Sequence, residues 1–164
     1  MKSGKIIIIA PIVLLLLIVV NIVVLAELHP YRPGDAFFGI QSAVENSQIK
    51  LISHPQKRIE FSFELVERRL TDLEMIDQQA QVQPAVDAFD QAMTTAILNI
   101  QYLDDKDAEV YYHNVQPLMR RVEKVVADLE MKLTNAHLSS LRHKVATLKT
   151  TNSPIELINL LIEE

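Results

Sequence analysis

The stretch Ile59 to Ile76, IEFSFELVERRLTDLEMI, decides how the chain folds. Its apolar residues Ile59, Phe63, Val66, Leu70, Leu73 and Ile76 recur at steps of four and three, the spacing of one helix face. Polar residues fill the other positions, with Glu64 and Arg68 spaced as an i,i+4 pair. A seam this narrow needs a partner helix, which points to an antiparallel bundle. Just upstream, Ser53-His54-Pro55-Gln56 combines capping-box spacing with a proline suited to a first helical turn.

Working outward, an earlier helix is expected from Asp35, a good N-cap, to about Ile52. A third is expected to open at Pro84, with Val86, Phe89, Met93, Ile97, Ile100 and Leu103 as its face. Asp104-Asp105-Lys106-Asp107 reads as a linker or as the acidic first turn of a fourth helix, which carries Val115, Leu118, Val122, Val125, Leu129 and Leu133, with Pro117 either kinking it or marking its start. Leu138, Leu141, Val145 and Leu148 then continue the same helix or form another, divided near Asn135. Ser153-Pro154-Ile155-Glu156 starts a terminal helix over residues 155–164.

The N-terminus is of another kind. Residues 6–26 are 21 consecutive residues without a charge, mostly Ile, Leu and Val. As a helix this length crosses the hydrocarbon core of a bilayer, and a lone strand would leave its backbone polar groups unpaired in lipid. Lys2 and Lys5 precede the run and Glu27 follows it, which orients the remainder outside the plasma membrane. Val24-Leu25-Ala26 offers a signal-peptide cleavage site, but the apolar core exceeds the about 7–15 residues of that class.

The expected organisation is therefore a short cytoplasmic N-terminus at 1–5, an anchor at 6–26, and a linker at 27–34. An extracytoplasmic bundle follows at 35–150 and an apolar C-terminal helix at 151–164. The fold class is all-α: one N-terminal transmembrane helix, an antiparallel bundle of about four helices, and the short last helix.

Composition narrows the chemistry. The 164 residues include no cysteine, which excludes disulfides, thiol catalysis and cysteine-ligated metals. Three glycines leave little for phosphate-cradling loops. Net charge is −5, and setting aside Lys2 and Lys5 leaves 14 basic against 21 acidic residues, so nucleic acid is not the expected partner.

Order of motifs gives one likeness. Arg32-Pro33-Gly34-Asp35-Ala36-Phe37-Phe38, Val44-Glu45-Asn46, His54-Pro55 and Glu67-Arg68-Arg69-Leu70-Thr71-Asp72-Leu73-Glu74 follow one another. This series resembles a bacterial membrane-anchored family of unknown function, number 5667, over about residues 33–100. The chain departs from that pattern at Gly39-Ile40-Gln41 and at Val66. The resemblance implies a membrane anchor and a helical body, and no activity. The residues themselves suggest that Phe37 and Phe38 pack on the helix of Arg68 and Arg69, one of whose guanidinium groups reaches Glu45.

No reactive constellation stands out. Glu109 and His113 share an i,i+4 face, but a di-metal bundle needs repeated Glu-x-x-His motifs. Ser139 and Ser140 lie near His137 and His143 without the strained turn of a nucleophile elbow. Glu60, Glu64 and Glu67 form a row expected to be wet, and Asp104–Asp107 lacks the glycine of a calcium loop. The chain is read as non-enzymatic, without cofactor or metal. Its expected work is that of an accessory, scaffold or assembly subunit in a larger membrane complex. The alternatives are an envelope sensory module and an envelope hydrolase. Partners are expected to be other membrane proteins, with homo-oligomerisation left open. Contact residues are expected at Asn21, Phe37, Phe38, Tyr111, Tyr112, Leu157 and Leu161. The terminal helix is apolar nearly all round, so it must bury against its own bundle, a partner or a bilayer.

Overall fold

The computed structural model describes residues 31–151 and 153–162, and these are all-helical apart from turns and loops. The expected anchor and Asn21 lie outside the described residues. Within them, no helix is long and apolar enough to cross a membrane.

Six helices follow in order: α1 Phe38–Leu51, α2 Pro55–Glu74, α3 Gln79–Ile100, α4 Asp105–Lys132, α5 Ala136–Lys149 and α6 Pro154–Ile162. Short turns make α2/α3 and α4/α5 antiparallel hairpins. Gln79 Nε2 donates to the Thr134 carbonyl at 3.0 Å, so both hairpin turns lie at one end. Gln56 Nε2 donates to Asp107 Oδ2 at 2.7 Å, which puts the starts of α2 and α4 together at the other end. Hence α2 runs parallel to α4, and α3 to α5. Surface ion pairs tie these parallel neighbours: Arg121 to Glu67 at 2.8 Å and Lys144 to Asp90 at 2.8 Å. Helix α1 packs on α2, and α6 packs on α3 and α4.

The core follows the spacing of the apolar faces, with Leu103, Val125 and Leu133 only partly buried at its margin. Ile59, Val66, Leu70, Leu73 and Ile76 are buried, with Phe63 half-buried against them. They meet Val86, Phe89, Met93, Ile97 and Ile100 from α3, Val115, Leu118, Val122 and Leu129 from α4, and Leu138, Leu141, Val145 and Leu148 from α5. Burying each large apolar side chain contributes about 1.5–3 kcal/mol. One polar link crosses this core, Asn99 Nδ2 donating to Ser62 Oγ at 2.9 Å, and Ser62 in turn donates to the Arg58 carbonyl at 2.7 Å.

Several helix ends differ from the sequence expectation. Asp35 does not cap α1. Its Oδ2 accepts from the Arg32 amide at 2.9 Å, closing a turn in which Gly34 has φ +93°, the form a Pro-Gly pair favours. Phe37 stands at the N-cap position instead, so helix α1 begins two residues later, at Phe38. The Ser53/Gln56 capping box does not form either, because Gln56 is drawn to Asp107 on α4 and His54 stands at the N-cap position. Pro84 lies inside α3 rather than opening it. The helix starts at Gln79, where Gln81 Oε1 folds back to accept from the Gln78 and Asp77 amides, each at 3.1 Å. Pro117 likewise sits within a continuous α4. Asp104 caps that helix, accepting from the Asp107 amide at 2.9 Å. Asn135 caps α5 through the His137 amide at 2.8 Å, so the chain divides there into two helices. The bundle is thus four helices, α2 to α5, flanked by α1 and α6.

Candidate functional site

Three features set this surface apart from an ordinary bundle: a buried charge cluster, a pinned terminal helix, and apolar side chains left exposed at the two ends.

The charge cluster sits between α1 and α2. The Arg69 guanidinium pairs with Glu45 and with Asp72, the latter at 2.6 Å. Arg69 is 4% exposed and Glu45 7%. Glu45 also accepts from Gln41 Nε2 at 3.0 Å, and Gln41 Oε1 accepts from the Tyr31 amide at 3.0 Å. The face of the Phe38 ring lies 5.0 Å from Arg69 Cζ, a cation–π contact. Arg68, one residue on and about 100° round the helix, is half exposed and reaches Glu45 only at 3.7 Å. Burial pushes the Asp72 carboxyl above its usual value, against the opposing pull of Arg69. The cluster joins α1 to α2, and through Gln41 it reaches the backbone at Tyr31. Its groups satisfy one another, which leaves little for a substrate.

The terminal helix is held from below. The Tyr112 hydroxyl donates to the Thr151 carbonyl at 2.6 Å, and Thr151 Oγ1 donates to the Leu148 carbonyl at 2.8 Å. Ser153 Oγ accepts from the Glu156 amide at 3.2 Å, so the expected cap forms. Leu157 is fully buried, and Ile158 and Leu161 pack against the core. Ile155 and Ile162 remain exposed.

The expected contact residues are placed differently from one another. Phe38, Tyr112 and Leu157 are buried in the bundle's internal packing. Leu161 is partly covered by the core. Tyr111 stacks on Phe63 with ring centroids 5.6 Å apart, and burial, with Glu60 and Asp107 nearby, raises its phenol pKa. Phe37 alone of the aromatic pair is open, 46% exposed, with its ring 5.5 Å from Tyr31.

Other exposed apolar residues were not singled out by periodicity. Met75 ends α2 and Met131 lies near the end of α4, at the hairpin-turn end where Gly34 also contacts Gln81. Leu51, Tyr102 and Val110 belong to the opposite end. Arg58 joins two parts of that end, donating to the Ile52 carbonyl at 2.8 Å and lying 5.7 Å from the Tyr102 ring centroid. The signal for such residues is an apolar type outside the seam, close to a helix end.

The remaining polar groups are ordinary by their geometry. Glu109 and His113 pair at 3.1 Å on an open face. His137 and His143, six apart in sequence, do line one shallow groove of about 290 Å³ with Asp87, Asp90, Ser140 and Lys144. Among the described residues, no group of three or more histidine or acidic side chains is placed to hold a metal ion.

No protein-family model, curated protein or solved structure matches this chain. The functional reading therefore rests on the sequence pattern and the geometry above.

Proposed function

We propose that the chain is a membrane-anchored, extracytoplasmic accessory or assembly subunit of a larger membrane complex, working by contact rather than catalysis. One observation carries this reading. The end of the bundle opposite the incoming N-terminal segment presents Leu51, Tyr102, Val110 and Ile155, large apolar side chains left in water. Apolar side chains gathered at one end suit burial by a partner. The uncharged run over residues 6–26 supports the anchor, and the lysine flank supports export of the rest. Tethering confines the bundle near a membrane partner and raises its effective concentration, so modest apolar contacts suffice.

The chain has no cysteine, so introduced thiols report cleanly. With Glu64→Cys, an exposed position midway along α2 and away from either end, a membrane-impermeant maleimide is expected to label intact cells. Protection until the cells are lysed would overturn the exported placement. In native gels of gently solubilised membranes the chain is expected to migrate in an assembly larger than itself. Ile155→Glu together with Tyr102→Glu is expected to release it as a monomer with unchanged helicity by circular dichroism. A lone monomer before substitution would count against the subunit reading.

A further inference from the structure

The hairpin-turn end of the bundle has features that point to a second contact, of different chemistry. The chain enters the described structure there. Gly34 lies against Gln81 and Ala80 at the start of α3, and Gln79 bonds to Thr134 across the two turns. Glu74 and Lys132, at the ends of α2 and α4, border a common groove. Four large apolar side chains project around this end: Phe37 and Ile40 from the start of α1, Met75 from the end of α2, and Met131 from the end of α4. Four residues, 27–30, separate Tyr31 from the uncharged run. Fully extended, the five steps from Ala26 to Tyr31 span at most about 17 Å.

We infer that this end rests against the lipid surface, with Phe37, Met75 and Met131 in the interfacial layer. The inference rests on the anchor proposed above. Given that anchor, so short a connection holds the hairpin turns beside the headgroups, whatever path it takes. Aromatic and flexible apolar side chains gain by entering that layer, where one side is wet and the other oily. Arg32 and Lys132 lie at the same end and suit phosphate groups, while Asp35, Glu74 and Asp77 limit how deep the end sinks. The contact is therefore shallow. It sets the bundle upright, with α2 to α5 directed away from the membrane and the Leu51–Tyr102 end held outward for a protein partner.

The test uses the full chain reconstituted into vesicles of phosphatidylcholine and phosphatidylglycerol. Single cysteines replace Phe37, Met75 or Met131, and, as far-end references, Leu51 or Tyr102. Each carries the same small fluorophore. Flotation is measured first, then quenching by lipids bearing a nitroxide at the headgroup. The expected result is flotation, with quenching several-fold stronger at Phe37→Cys, Met75→Cys and Met131→Cys than at Leu51→Cys and Tyr102→Cys. Flotation with equal quenching at both ends overturns this inference and leaves the anchor standing. Labels at the near end that are shielded from water yet unquenched would mean a protein covers them, which also overturns it. A chain that does not float removes the anchor and this inference with it.

Discussion

The Tyr112 hydroxyl donates to the Thr151 carbonyl oxygen at 2.6 Å, joining the second turn of α4 to the segment between α5 and α6. Both residues are buried, so the bond replaces water that neither group can reach. It fixes where α6 departs and lets Leu157 reach the core.

Tyr112→Phe is therefore expected to leave the Thr151 carbonyl buried without this donor, at a cost of about 1–3 kcal/mol. The effect should be local first. Hydrogen exchange should quicken in α6 while α2 and α3 keep their protection. Uniform loss of protection across all six helices would show that α6 does not open separately.

The Arg69 pair makes an asymmetric prediction. Glu45→Ala leaves a buried guanidinium with Asp72 as its remaining carboxylate, and should cost about 3–5 kcal/mol in denaturant unfolding. Replacing the cluster together, as Glu45→Leu, Arg69→Met and Asp72→Leu, should recover most of that loss, because no charge then needs burying. Arg68→Ala should change little, since its guanidinium is half exposed and only distantly paired. A triple variant less stable than Glu45→Ala would show that the ion cluster itself holds α1 in place.

Asp72 gives the pH dependence a sign. Its carboxyl is raised in the folded chain chiefly by burial, so the folded state holds its proton to a higher pH than the unfolded state. The group's contribution is full below the ordinary carboxylate pKa and is lost as pH rises through the shifted one. Relative to Asp72→Asn, the native chain should lose stability across that window above the ordinary value. Denaturant midpoints taken in steps of pH would check it. A difference that stays flat, or grows in favour of the native chain, would mean that Arg69 outweighs burial.

Gly34 occupies a left-handed conformation, φ +93°, at the turn that leads into α1. Gly34→Ala should cost about 1 kcal/mol through the backbone alone, because an added Cβ would meet Gln81 Cγ at an ordinary 3.6 Å. Gly39 lies in α1 with open space around it, so Gly39→Ala should stabilise by about 0.5–1 kcal/mol. Thermal unfolding of the two variants should move in opposite directions.

Much of the bundle was legible in the residues. The seams of α2 to α5 are the buried faces, because period and burial are two aspects of one geometry. Ser153 caps α6 as its type suggests, because a cap needs only its own next residues, and Asp104 and Asn135 cap α4 and α5 by the same kind of local bond. Gln56 failed as a capping residue because Asp107, 51 residues away, bonds its amide instead. Pro84 misled because two glutamines, Gln78 and Gln81, close a helix start that rarely relies on that residue type. The aromatic pair Phe37-Phe38 pointed to α1 packing on α2, but nothing local tells which ring turns inward.

Sequence alone determined that the described body is helical, where its core faces lie, and that an uncharged run of 21 residues precedes it. These are properties of period, length and side-chain type, which neighbours along the chain suffice to fix. Tertiary structure decided that α2 lies parallel to α4, that Arg69 rather than Arg68 is buried on Glu45, and that Tyr112 and Leu157 serve the core while Phe37, Met75 and Met131 stay on the outside of the bundle. Those outcomes depend on which surfaces meet across tens of residues, and burial is assigned by that meeting rather than by the residues on either side.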